Sequence, residues 1–174
     1  MGRLASTALY GDRQCFYPAR AIGNTTYRLS EETKIRSFAA LSFCCLGGTR
    51  RELASATNLH ALFPECNALP SLSGYYVQMA AKPVFGFLRV DMGGPGRWDR
   101  VLTKCCDDAR RHAEMPAVRQ AVAAGQFEIA LVTALPQKAQ RLCRALRSLA
   151  SLPAIPIRVT SIPELVNLIA PPPE

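Results

Sequence analysis

VFGFLRVDMGGPGRWDRVLTKCCDDARR, residues Val84–Arg111, decides the reading of the fold. Its opening run, VFGFLRV, has the length and apolar character of a strand and delivers Asp91 into the glycine-rich turn MGGPG. That turn opens directly into RWDRVLTKCCDDARR, whose spacing is that of an amphipathic helix. A carboxylate at a strand end beside a helix N-terminus is where α/β proteins place phosphate contacts or chemistry.

Outward from this stretch, Tyr75–Met79 and Val84–Val90 read as two strands joined around Lys82 and Pro83, an antiparallel hairpin. Downstream, Pro116 begins a helical piece, AVRQAVAAG, that ends at Gly125. FEIALVT is a continuous apolar run expected as a buried strand, Pro136–Ala150 a helix, IPIRVT a strand and Ile162–Ile169 a closing helix. Strand and helix alternating at these lengths predict a parallel portion of sheet covered by helices. Upstream, Ser30 with Glu31 and Glu32 signals a helix start, and apolar spacing from Ile35 to Cys45 carries that helix to Gly47-Gly48. Thr49 is expected to cap a short helix through RRELASA, with another turn or two over Asn58–Phe63 and a connector over Pro64–Gly74. In the first thirty residues, Leu4–Tyr10 and Gln14–Tyr17 flank a Gly11-Asp12 pair and read as a hairpin.

Composition bounds the partners. The chain has 174 residues, 49% hydrophobic and 20% charged, enough for one domain with a core of its own. Seven cysteines without repeating spacing read as free thiols of a reducing cytosol, and neither a signal peptide nor a membrane span is expected. The net charge of +8 is uneven: residues 1–60 carry eight Lys/Arg against four Asp/Glu, residues 136–150 carry four basic side chains and no acid, and the remainder is neutral. Such concentration points to a polyanionic partner such as nucleic acid.

Several constellations carry candidate chemistry. In PQKAQRLCRALRSLA, Ala139, Leu142, Cys143, Leu146 and Leu149 are expected inward, leaving Lys138, Arg141, Arg144 and Arg147 outward to meet phosphates or simply solvent. Arg97 and Arg100, at the positive end of the preceding helix, are further phosphate candidates. MGGPG lacks the order of a nucleotide-binding glycine loop. Asp91 is the candidate catalytic or metal-binding carboxylate, and its plainer role is a hydrogen bond to the turn amides. Asp107 and Asp108 read as solvent-facing, and Trp98, Tyr75 and Tyr76 as core. Cys105, Cys106 and His112 lack zinc-site spacing.

The succession SFAALSFCCLGGTRREL, SGYYVQ, GFLRVDMGG with RWDRVL, GQFEIALVTALPQKAQRL and IRVTSIPELVNLI, spanning Tyr27 to Ile169, resembles the replication-relaxation proteins of bacterial plasmids and integrated mobile elements. The resemblance implies a winged-helix part joined to a core like that of the PD-(D/E)xK nucleases, a three-layer restriction-endonuclease-like α/β architecture with a mixed sheet. It places residues 1–28 as a hairpin, the wing without its recognition helix, and residues 29–174 as the nuclease-like domain. In the nuclease pattern an acid on one strand is followed by an acid and a lysine on the next. Asp91 falls near the second acid, but Gly93 stands where the lysine belongs and Tyr75–Met79 lacks the first acid.

The expectation is therefore a cytoplasmic bacterial DNA-associated protein without catalysis. It would bind phosphates through Arg97, Arg100, Lys138, Arg141, Arg144 and Arg147, assisted by Arg13 and Arg20 of the hairpin. The alternatives are a magnesium-dependent nuclease using Asp91, and an interaction subunit in which Tyr75, Tyr76 and the basic faces meet an acidic protein.

Overall fold

The computed structural model describes residues 30–45, 49–66, 69–94, 96–149 and 154–166. The N-terminal hairpin, Arg13 and Arg20 lie outside them. Contacts divide the chain after Ser30, and the architecture below belongs to the unit Glu31–Glu174.

A mixed five-stranded sheet in the order β1-β2-β3-β4-β5 organises this unit: β1 Arg51–Leu53, β2 Tyr75–Gln78, β3 Val84–Asp91, β4 Phe127–Thr133 and β5 Ile157–Ser161. The first three strands are antiparallel neighbours, and β3, β4 and β5 run parallel. The helices are α1 Glu31–Cys45, α2 Ala56–Leu62, α3 Trp98–Glu114, α4 Arg119–Ala123 and α5 Pro136–Arg147. Helices α3 and α4 occupy the crossover from β3 to β4, and α5 that from β4 to β5, as parallel strands require.

Every residue of β4 is buried, which explains the unbroken apolar run: a central strand with parallel neighbours is covered on both faces. Phe127, Ile129, Leu131 and Thr133 alternate with Glu128, Ala130 and Val132. Phe127 and Ile129 pack with Phe85, Tyr75, Ala109 and Ala121, while Leu131 meets Cys105 of α3 and Leu142 of α5. On the opposite face Ala130 and Val132 pack with Tyr76, Leu88 and the α1 residues Ala39 and Phe43. Helices thus cover both faces.

The RRELASA segment differs from its sequence reading. Arg51–Leu53 pairs with Tyr76–Gln78 as an edge strand, and the helix starts only at Ala56. Its cap is Ser55, whose hydroxyl accepts from the Asn58 amide at 3.2 Å while the Asn58 side chain accepts from the Ser55 amide at 2.8 Å. Beyond β5, residues Pro163–Leu165 form a 3₁₀ turn at the start of the expected closing helix, Val166 is helical, and residues 167–169 of that segment lie outside the described residues. The antiparallel β2–β3 pair, the fully buried β4 and the parallel β4–β5 pair agree with the sequence reading.

One polar row crosses the α1 face. Tyr76 and Gly86 are register partners, as are Gly86 and Glu128, and the Tyr76 ring lies over Gly86 so that its hydroxyl donates to Glu128 Oε1 at 2.7 Å. A Cβ on Gly86 would stand 2.3 Å from that ring, so only glycine permits the crossing. Glu128 is 3% exposed and also accepts from the Arg158 guanidinium of β5. Burial of Tyr76, and then the neighbouring carboxylate, push the phenol far above its ordinary range, keeping it protonated as the donor.

Candidate functional site

Alternation along β3 puts Phe85, Phe87, Arg89 and Asp91 on the same side as the inward residues of β4 that meet α3 and α5. Asp91 is the last residue of the strand, opposite Thr133, and only 7% exposed. Its Oδ1 accepts the Gly93 amide at 3.0 Å, the turn contact expected from sequence, and its Oδ2 accepts the Thr133 hydroxyl at 3.2 Å.

A second group completes the arrangement. Lys138 Nζ lies 2.7 Å from Asp91 Oδ2 and donates to the carbonyls of Gly94 at 2.8 Å and Gly93 at 3.3 Å. Lys138 is thus 2% exposed, whereas the helical pattern had placed it outward among the phosphate contacts. The reason is local electrostatics. A cation in the first turn of α5 faces the positive end of the helix and is unfavourable alone, but a buried carboxylate and two carbonyls offset that cost. Spacing did hold a signal, since Lys138 stands four residues before the buried Leu142 on the same helix face.

Around this pair lies a concavity of about 300 Å³ lined by Arg36, Arg89, Val90, Asp91, Met92, Gly93, Arg97, Arg100, Val101, Lys104 and Lys138. Its charges are of two kinds. Lys138 is bound to Asp91, and Arg89 is bound to the buried Asp108 of α3; the sequence reading had left Asp108 to solvent. Arg97, Arg100 and Lys104 are exposed and have no ion-pair partner among the described residues, and Arg36 shares only an exposed pair with Glu32 at 2.6 Å. Arg97 also holds a left-handed backbone, φ 58°, at the N-cap of α3. For a residue with a Cβ that conformation costs about 1–2 kcal/mol, and it stands at the cavity wall.

The remaining candidates divide between places. Arg144 and Arg147 line a separate groove of about 430 Å³ between α5 and β5, with Pro136, Ala139, Gln140, Cys143, Val159 and Ser161. Arg141 is exposed on α5 and lines neither. Tyr75 and Tyr76 are buried, as expected, and so present no surface to a partner. Trp98 departs from its core reading: it is 38% exposed.

Chemically the concavity suits an anion. Asp91 is the one carboxylate among its lining residues, is already held by an ammonium, a hydroxyl and an amide, and is surrounded by guanidinium and ammonium groups that repel a divalent cation. The residues present therefore do not fit a magnesium site, and no group of three or more His, Cys, Asp or Glu suited to a metal occurs among the described residues. Three of the thiols are unsuited as nucleophiles: burial pushes Cys66 up to about 11 and Cys44 and Cys105 up to about 12. His112 is engaged elsewhere, its Nδ1–H donating to the Asp108 carbonyl at 2.7 Å and its Nε2 accepting from the Tyr75 hydroxyl at 2.9 Å.

Comparison with family models, with curated proteins and with solved structures finds no match to the chain. No described helix is long and apolar enough to cross a membrane.

Proposed function

We propose that this protein is a nucleic-acid-associated protein of the replication-relaxation kind, from a bacterial plasmid or mobile element, acting in the cytoplasm by binding DNA phosphates without cutting them. The observation that carries the reading is the convergence of Arg36, Arg97, Arg100 and Lys104 on one concavity whose lone carboxylate is neutralised by Lys138. Three exposed cations without ion-pair partners among the described residues, at the N-cap and in the first two turns of one helix, gain most from an anion that brings its own negative charge. A mixed sheet with helices on both faces is compatible with the three-layer restriction-endonuclease-like core that the resemblance implies. On this reading the nuclease-like core serves as a platform: the ammonium of Lys138 occupies the oxygen of Asp91 that a catalytic ion would need. Arg141, Arg144 and Arg147 extend the positive surface along α5.

The test is a gel-retardation series with labelled duplex and single-stranded DNA at low salt, with magnesium or with a chelator, followed by recovery of the DNA. The expected result is retarded DNA, intact and equally bound in both buffers. Absence of any complex at low salt refutes the reading, and magnesium-dependent cuts that vanish in Asp91→Ala would establish the nuclease instead.

A further inference from the structure

We infer that Trp98 and the adjoining concavity form a binding site for single-stranded nucleic acid, with an unpaired base stacked on the indole and its phosphate held by Arg97, Arg100 and Lys104. The inference rests on the nucleic-acid reading above and specifies the form of the ligand. Trp98 is the first residue of α3, 38% exposed, and has no ring contact or hydrogen bond among the described residues. Elsewhere the same fold stacks its aromatic rings densely, Tyr75 on Phe85 at 5.2 Å and Phe43 edge-on to Tyr76 at 4.9 Å. Trp98 thus leaves more than a third of its surface in water, as Phe38 does at 41%, but of the two Trp98 is the one that adjoins the unpaired cations in sequence.

Its position ties it to the cations. Trp98 lies between Arg97 and Arg100 in the first turn of α3, and Val101, three residues on along the same helix face, lines the concavity. Trp98 is not itself a lining residue, but it is the chain neighbour of Arg97 and lies within one helical turn of Arg100 and Val101, all three of which line the pocket. An aromatic face beside unpaired cations is the combination that recognises unpaired strands, because stacking needs a base whose faces are free while the charges follow the backbone. In a duplex those faces are covered by neighbouring base pairs. A flexible single strand can also turn one phosphate into a concavity that duplex phosphates, fixed on a convex cylinder, reach only at the rim.

Trp98 is the chain's only tryptophan, so its fluorescence reports on this site alone. The full chain would be titrated at low salt with an oligothymidylate of about 15 nucleotides, a duplex of equal length, and inorganic polyphosphate as an anion without bases. The expected result is quenching by the single strand that saturates with binding. The variants lack the fluorophore, so affinities of parent and variants are compared by the anisotropy of end-labelled single strand and duplex, with polyphosphate as competitor. Trp98→Ala is expected to lower single-strand affinity about tenfold, to change duplex and polyphosphate affinity little, and to be largely rescued in Trp98→Phe. Circular dichroism and thermal melting confirm that both variants keep the fold. Equal loss for all three ligands, or no loss, with DNA binding otherwise intact and salt-sensitive, overturns the stacking site and leaves the phosphate reading standing. Failure of the unmodified protein to bind any nucleic acid overturns both.

Discussion

At the scale of the residue, Lys138 shows how a buried charge can be hidden in an amphipathic pattern. With Gln137, Arg141, Arg144 and Arg147 around it, it reads as one more solvated cation. What distinguishes it is Asp91, forty-seven positions upstream, and the two glycine carbonyls that the turn presents. No local spacing encodes that meeting. It follows from the parallel crossover between β3 and β4, which sets the end of β3 beside the end of β4, where α5 starts. Asp91 itself was legible, because a carboxylate two residues before a glycine amide has an obvious local partner. Removing one member of such a pair strands the other charge in the interior, at a cost of about 3–5 kcal/mol, whereas removing both is much milder. Lys138→Met is therefore expected to destabilise the protein by that amount in a urea melt, and the double variant Asp91→Asn with Lys138→Met to recover most of it. A single variant as stable as the parent would show that the pair is not buried as described.

At the scale of the element, strands and helices with strong periodicity were readable and the short edge was not. Phe127–Thr133 announces a central strand by composition, and Pro136 with Gly125 punctuates its neighbours. Arg51–Leu53 has three residues, carries two charges and gains strand geometry only by pairing with β2, so propensity pointed to a helix there. The β2–β3–β4 row imposes a constraint testable on one residue. Gly86→Ala drives a methyl into the Tyr76 ring between two backbones, and a destabilisation of about 3 kcal/mol is expected from overpacking alone. A variant melting with the parent would contradict the packing. On the other face, His112 holds α3 to the sheet among Tyr75, Phe87 and Phe127, with ring centroids 5.7, 4.8 and 5.3 Å away. Burial depresses its pKa below the ordinary value, against the pull of the Asp108 carbonyl and carboxylate and aided by Arg111 and Arg89. The unfolded chain then binds this proton more readily, so stability is complete above about pH 6.5 and falls as the pH drops from there toward the depressed folded value. Denaturant midpoints measured between pH 7.5 and 5 are expected to show that fall, and His112→Gln to lose it; an unchanged pH slope in the variant would assign the fall to other groups.

At the scale of the whole molecule, exposed positive charge among the described residues gathers in one concavity and along one helix surface, and most of the concavity's cations come from the part of the sequence whose charges balance. The net charge of +8 predicted a polyanionic partner, but not that Arg36, Arg97, Arg100 and Lys104 would converge while Lys138 withdrew into the core. Arg36 belongs to α1 and the others to the N-cap and first two turns of α3, helices packed on opposite faces of the sheet, and all four line the concavity at the end of β3. That geometry concentrates the positive potential at one end of β3. The measurement that tests this account most directly is the equilibrium binding of labelled DNA across a salt series, comparing the parent with the charge-reversal pair Arg97→Glu and Arg100→Glu. The account predicts tight binding at low salt, a steep fall of affinity with salt, and a logarithmic slope shallower by roughly 1.5 to 2 in the variant, as expected for two lost phosphate contacts. Binding by the variant with the parent's affinity and slope, or no binding by the parent at low salt, would contradict it.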